Sequence, residues 1–134
     1  MVKVAIVGSS RLDEGERERA RVIIKDILKE YKHHDEIITG DANGIDELVR
    51  SFAYDCNCMT VIEAKEQQWK PNGYRERNVK IAEEADRVYT IATKNIKGLK
   101  CYHCVVRDHD RTGGCWTRKY AIDELGKEGR LFVI

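Results

Sequence analysis

The chain has 134 residues, 35% of them charged, a net charge of +1 and five cysteines. That length suits one domain of ~100–150 residues with its own core, and the near-neutral balance argues against a globally basic nucleic-acid binder or an acidic tail. No apolar run approaches the ~20 residues that span a bilayer, and the opening run is too short for a secretory leader, so a soluble cytoplasmic protein with reduced thiols and no membrane partner is expected.

Taken in order, Val2 to Val7 (VKVAIV) reads as a buried strand ending in the turn Gly8-Ser9-Ser10-Arg11. Asp13 to Tyr31 places Ala20, Ile23, Ile24, Ile27, Leu28 and Tyr31 on one helical face, with acidic residues at its start to suit the helix dipole. Glu36 to Thr39 is a second strand, followed by a Gly-Asp-Ala-Asn-Gly turn and a helix whose inner face carries Ile45, Leu48, Val49, Phe52 and Ala53. Met59 to Glu63 is a third strand, Tyr74 to Glu84 a third helix and Arg87 to Thr93 a fourth strand. After a long loop, Cys115 to Leu125 forms a fourth helix with Gly126 as its stop, and Leu131 to Ile134 a last strand. The alternation predicts an α/β domain over 1–134, a Rossmann-like three-layer sandwich with a mainly parallel sheet of about five strands. In such sheets ligands bind at the carboxyl ends of the strands, where strand order reverses.

Three turns rich in small residues fall at such ends, after the first, second and fourth strands, the last being the Gly113-Gly114 pair. Gly8, Ser9 and Ser10 allow close backbone approach and hydroxyl contact, and Arg11 can pair with phosphate; an ordinary tight turn is the alternative. The turn containing Gly40, Asp41, Ala42 and Gly44 leads into a helix whose N–H groups attract anions, with Asp46 either stabilising that first turn or accepting a ligand hydroxyl. In Trp69 to Asn78 the aromatic rings of Trp69 and Tyr74 can stack on a base while Arg75, Arg77 and Asn78 meet phosphate or ribose, unless the segment is a plain aromatic-anchored loop.

The Cys/His-rich loop at 94–115 is the other feature. Residues 94–120 carry seven basic and two acidic side chains, an anion-attracting or merely solvated segment. Cys101, Cys104, His109 and Cys115 follow the pattern C-x2-C-x4-H-x5-C, close to zinc-knuckle spacing, and three thiolates with one imidazole complete a tetrahedral structural zinc site. His103 is the alternative fourth ligand. Cys115 at a helix start can instead be a reactive thiol, but no adjacent base is identifiable. Cys56 and Cys58 read as small buried residues.

Together VGSSR, TGDANGID and the W…GYRERN…AD pattern resemble the SLOG superfamily, which includes the DNA-processing protein DprA and the LOG nucleotide hydrolases. The resemblance runs along nearly the whole chain. It implies a nucleotide or nucleotide-derived small molecule at the sheet edge, touched by Gly8, Ser9, Ser10, Gly40, Asp41, Ala42, Gly44, Asp46, Arg77, Asn78, Gly113, Gly114 and Thr117, and a possible homodimer. Asp41 stands where the pattern has a second glycine, which weakens phosphate binding at that turn. In the LOG motif a glutamate serves N-glycosidic hydrolysis; here Tyr120 takes its place, and a phenol cannot stabilise oxocarbenium charge. The resemblance therefore implies holding a nucleotide more than cleaving one. A LOG-type hydrolase and a zinc-dependent nucleic-acid module, the latter disfavoured because Gly113 and Gly114 belong to the binding edge, are the alternatives.

Overall fold

The computed structural model describes residues 1–31, 35–56, 58–94, 100–104 and 108–134. Its elements are β1 (Lys3–Gly8), α1 (Glu14–Lys29), β2 (Glu36–Gly40), α2 (Ile45–Ser51), β3 (Met59–Ile62), α3 (Tyr74–Glu84), β4 (Arg87–Ala92), α4 (Gly113–Leu125) and β5 (Glu128–Val133), with a single 3-10 turn at Ala53–Asp55. All four strand pairings are parallel, in the order β3-β2-β1-β4-β5. This is the expected Rossmann-like α/β architecture.

Because successive strand residues point to opposite faces, β1 supplies both halves of the core. Val4 and Ile6 join Ala20, Ile24 and Ile27 of α1 and Ile45, Leu48 and Val49 of α2. Ala5 and Val7 join Ile81, Ala82 and Ala85 at α3 and Ala121 of α4 on the other face. A strand covered on both faces cannot alternate apolar with polar residues, which explains the unbroken run VAIV. Each buried isoleucine contributes about 1.5–3 kcal/mol.

The termini of α1 and α4 follow local chemistry. Asp13 caps α1, accepting from the Glu16 N–H at 2.7 Å while the Glu16 carboxylate accepts from the Asp13 N–H at 2.9 Å. Thr112 caps α4 through Gly114 N–H at 3.1 Å, and Gly126 ends that helix at φ +63°. The helix therefore begins at Gly113, two residues before the expected Cys115. Strand β5 begins at Glu128, three residues before the expected Leu131, because an edge strand needs backbone partners from β4 but not an apolar side chain at each position. Cys56 is half-buried and Cys58 exposed, against the expectation that both are buried, since β3 is the opposite edge of the sheet.

Candidate functional site

The chain runs outward from β1 to β2 and β3, then crosses back to β4 and β5, so strand order reverses between β1 and β4. At the carboxyl ends of these strands lies a cleft of about 1040 Å3, where open α/β sheets bind ligands. Its walls bring together Gly8, Ser9, Ser10, Arg11, Asp41, Ala42, Asp46, Arg77, Asn78, Gly113 and Gly114, residues spread from one end of the sequence to the other. Trp69, Tyr74, Thr93, Asp110, Arg111 and Thr112 also line it.

Three of the expected contact residues lie outside these walls. Gly40 is buried, and a Cβ there would sit 2.5 Å from Asp46 Oδ2. Gly44 has φ +71°, and a Cβ would meet the Ser9 carbonyl at 2.3 Å. Thr117 is fully buried and donates its hydroxyl to the Gly113 carbonyl at 2.8 Å. Their small size or short polar reach serves packing. Gly8 lines the cleft but has a packing reason too: a Cβ would stand 2.0 Å from the Ile91 carbonyl. Ser9 ties three elements, donating its N–H to Ile91 O, accepting from Ile45 N at its carbonyl and from Thr93 N at its hydroxyl, at 3.0, 3.0 and 3.1 Å.

The centre of the cleft is organised by Asp41 and Arg77. Arg77, 8% exposed, donates to Asp41 Oδ1 at 2.7 Å and, through Nε, to Asn78 Oδ1 at 3.2 Å, with its guanidinium over the Tyr74 ring. Burial works against the Asp41 charge, but hydrogen bonds from Arg77, the Ala64 N–H and Gln67 outweigh it and hold the carboxyl below its usual range. The arginine is thus a compensated charge with one aromatic face already covered, rather than a free phosphate cation. Arg50 fixes the same turn, donating to the carbonyls of Gly40 and Ala42 at 2.8 and 2.9 Å; its helical position carries no sequence signal of that role.

Two buried polar atoms of cleft-lining side chains lack hydrogen-bond partners among the described residues. Asp46 is 3% exposed; its Oδ2 accepts from the Ala42 N–H at 3.3 Å, while its Oδ1 is unpaired. Burial is the main cause that pushes its carboxyl up to about 6, partly opposed by Arg77 and Arg50. Asn78 is 3% exposed, and its Nδ2 is also unpaired. The bond from Arg77 to Oδ1 sets the amide orientation and leaves Nδ2 aimed at Gly113, 3.2 Å from where a Cβ would stand. Such orphaned groups cost about 1–3 kcal/mol each unless a ligand or water engages them. Charge separates the helix starts: α1, α2 and α3 carry carboxylates in their first turns, whereas α4 carries none.

Beside the cleft, Cys101, Cys104, His109 and Cys115 converge so that their ligand atoms all lie within 4.8 Å of one another. Cys101, His109 and Cys115 are fully buried and Cys104 is partly so. The Cys101 and Cys104 sulfurs are 3.6 Å apart, too far for a disulfide, and Cys115 Sγ is 3.5 Å from His109 Nε2. A tetrahedral ion with bonds of about 2.3 Å to sulfur and about 2.0 Å to nitrogen sets such edges at about 3.8 and 3.5 Å. The four residues can therefore hold a metal ion. His109 Nδ1 lies 3.2 Å from Asp108 Oδ1, which leaves Nε2 as the ligand atom, and Arg118 donates to Cys104 Sγ at 2.7 Å. His103 lies outside the cluster, against the Tyr102 ring. Burial, then the neighbouring Cys104 and Cys101 sulfurs, pushes the Cys115 thiol up, opposite to a reactive low-pKa thiol.

Tyr120 is half-buried, stacks on Trp116 with ring centroids 5.3 Å apart, and does not line the cleft. Trp116 in turn meets Trp69 edge-on at 5.1 Å. Arg107 and Lys97 of the basic segment lie outside the described residues.

No protein-family model and no curated protein matches this chain. Among solved structures it is similar to the X-ray structure of TM1055, a Northeast Structural Genomics Consortium target, with a TM-score of 0.63 and 17% identity over 96% of this chain and 72% of that one. At that identity the likeness bears on the fold, and it agrees with the Rossmann-like reading. No described helix is long and apolar enough to cross a membrane.

Proposed function

We propose that the cleft binds a nucleotide or nucleotide-derived small molecule, and that the Cys3His cluster holds a structural zinc ion beside it. The observation that carries the binding reading is a pair of buried groups, unpartnered among the described residues, on side chains that line the cleft at the strand-order switch: an acceptor, Asp46 Oδ1, and a donor, Asn78 Nδ2. A ligand with both a hydroxyl and an anionic group engages both. Its phosphate goes to the start of α4, where Asn78 Nδ2 adds a donor to the helix N–H groups and no first-turn carboxylate repels it. A sugar hydroxyl goes to Asp46. The Asp41–Arg77 pair acts as a positioning device for Asn78, consistent with the expectation that the Asp41 turn disfavours phosphate.

Thermal shift and calorimetry of metal-replete protein against nucleotides, cyclic nucleotides and ADP-ribose derivatives test this reading. A saturable shift with at least one is expected; none with any of them overturns it. Three thiolates and an imidazole favour zinc over hard cations. Elemental analysis of protein purified without added metal is expected to give about one zinc per chain, and a folded metal-free protein refutes the zinc assignment. Tyr120 stands outside the cleft and supplies no carboxylate where the LOG-type motif has its glutamate, so binding is the reading preferred over N-glycosidic hydrolysis.

A further inference from the structure

We propose that metal occupancy of the Cys3His cluster sets the affinity of the neighbouring cleft, because two of the four ligands clamp the ends of one cleft wall. The proposal rests on the ligand-binding reading given above. His109 and Cys115 enclose residues 110–114, and all five of these line the cleft. The His109 and Cys115 ligand atoms are 3.5 Å apart. An extended chain of six residues can span about 20 Å, so a metal bonded to both ends removes most of the freedom this wall would otherwise have.

The two ends connect to the site by separate routes. At His109 the backbone forms an isolated antiparallel bridge, in which neighbouring side chains point to opposite sides. His109 thus faces the cluster while Asp110 faces the cleft. The Asp110 N–H donates to the Thr93 carbonyl at 2.8 Å, the Thr93 hydroxyl to Asp110 Oδ2 at 3.3 Å, and the Thr93 N–H to Ser9 Oγ at 3.1 Å. Asp110 Oδ1 is buried and unpaired, a third orphaned group at the cleft. At the other end, Cys115 lies in the first turn of α4, next to Gly113 and Gly114, and Trp116 beside it holds Trp69 at the rim. A bound metal thus preorganises the anion-binding turn and the Asp110–Thr93–Ser9 connection together. Thermodynamic reciprocity requires a cleft ligand to tighten metal binding by the same factor.

The first test uses zinc alone: hydrogen exchange of the full reduced chain, metal-replete and chelator-stripped. Residues 108–116 and 9–11 are expected to lose protection together on metal removal while the β1, α1 and α2 cores keep theirs. Unchanged protection at 108–116, loss spread through the whole sheet, or a chain that takes up no metal overturns the proposal. The second test uses adenosine monophosphate as probe, with affinity expected to fall roughly five- to a hundredfold on metal removal. Equal affinity in the two states overturns it. If no nucleotide binds either state, the nucleotide reading fails and the exchange result alone decides the metal coupling.

Discussion

Asp46 is a buried cleft residue whose charge state changes near neutral pH. Its folded carboxyl titrates at about 6 against an ordinary 3.8, so between those values the folded chain binds more protons than the unfolded one. The stabilisation from the protonated form is fully present below about 3.8 and is lost as pH rises through about 6. Asp41 behaves oppositely, its depressed carboxyl contributing stability that is lost only as pH falls below the ordinary carboxylate range. Asp46→Asn is therefore expected to abolish a fall in denaturant midpoint between pH 4 and pH 7, worth on the order of 3 kcal/mol; an unchanged pH profile refutes the assignment. Arg77→Met breaks the Asp41 pair and frees the Asn78 amide. A loss of about 1–3 kcal/mol is expected, because the stranded Asp41 is only partly buried and keeps its bonds from the Ala64 N–H and Gln67, read as a shift in urea midpoint. Adjacent RN residues were visible in the sequence, but that the arginine is already neutralised by Asp41 was not, because the two are 36 positions apart.

At the scale of elements, α4 is the hinge of the site: its first turn meets the cleft, its Cys115 the metal cluster, and its Ala121 the core. Two adjacent glycines there have different duties. A Cβ on Gly114 would stand 2.8 Å from the Gly8 backbone, whereas one on Gly113 would meet only Asn78 Nδ2 at 3.2 Å. Gly114→Ala is expected to destabilise the chain by about 1–3 kcal/mol through overpacking against backbone that cannot give way. Gly113→Ala is expected to keep the melting temperature within a few degrees and to weaken nucleotide binding, since it crowds the unpaired donor. Equal thermal losses in the two variants would contradict this division. The glycine pair was legible as a binding turn, but helix-to-strand contact and ligand access look identical in sequence.

Over the whole molecule, the Cys3His cluster and one wall of the cleft share a loop, so on the proposed reading stability and binding respond to a metal together. Chelation is expected to lower the melting temperature and to alter the fluorescence of the only two tryptophans, Trp69 and Trp116, which touch each other between the two sites. Unchanged tryptophan emission on verified metal removal would argue that the cluster does not communicate with the rim.

The sequence by itself determined the alternation of strands and helices, the parallel sheet, and the three cysteines of a cluster that can hold a metal ion. Each follows from local rules: apolar periodicity of two or 3.6 residues, turn chemistry at glycine, and a ligand spacing that reads along one loop. It also named eleven of the residues that line the cleft, but not Thr93, Asp110, Arg111 or Thr112. Only the tertiary structure decided which small residues line the cleft and which fill a packing gap, that His109 and not His103 joins the cysteines, and that Arg77 is held by Asp41. Those outcomes depend on contacts between segments distant in the chain, where burial and pairing are fixed by how the helices settle on the sheet.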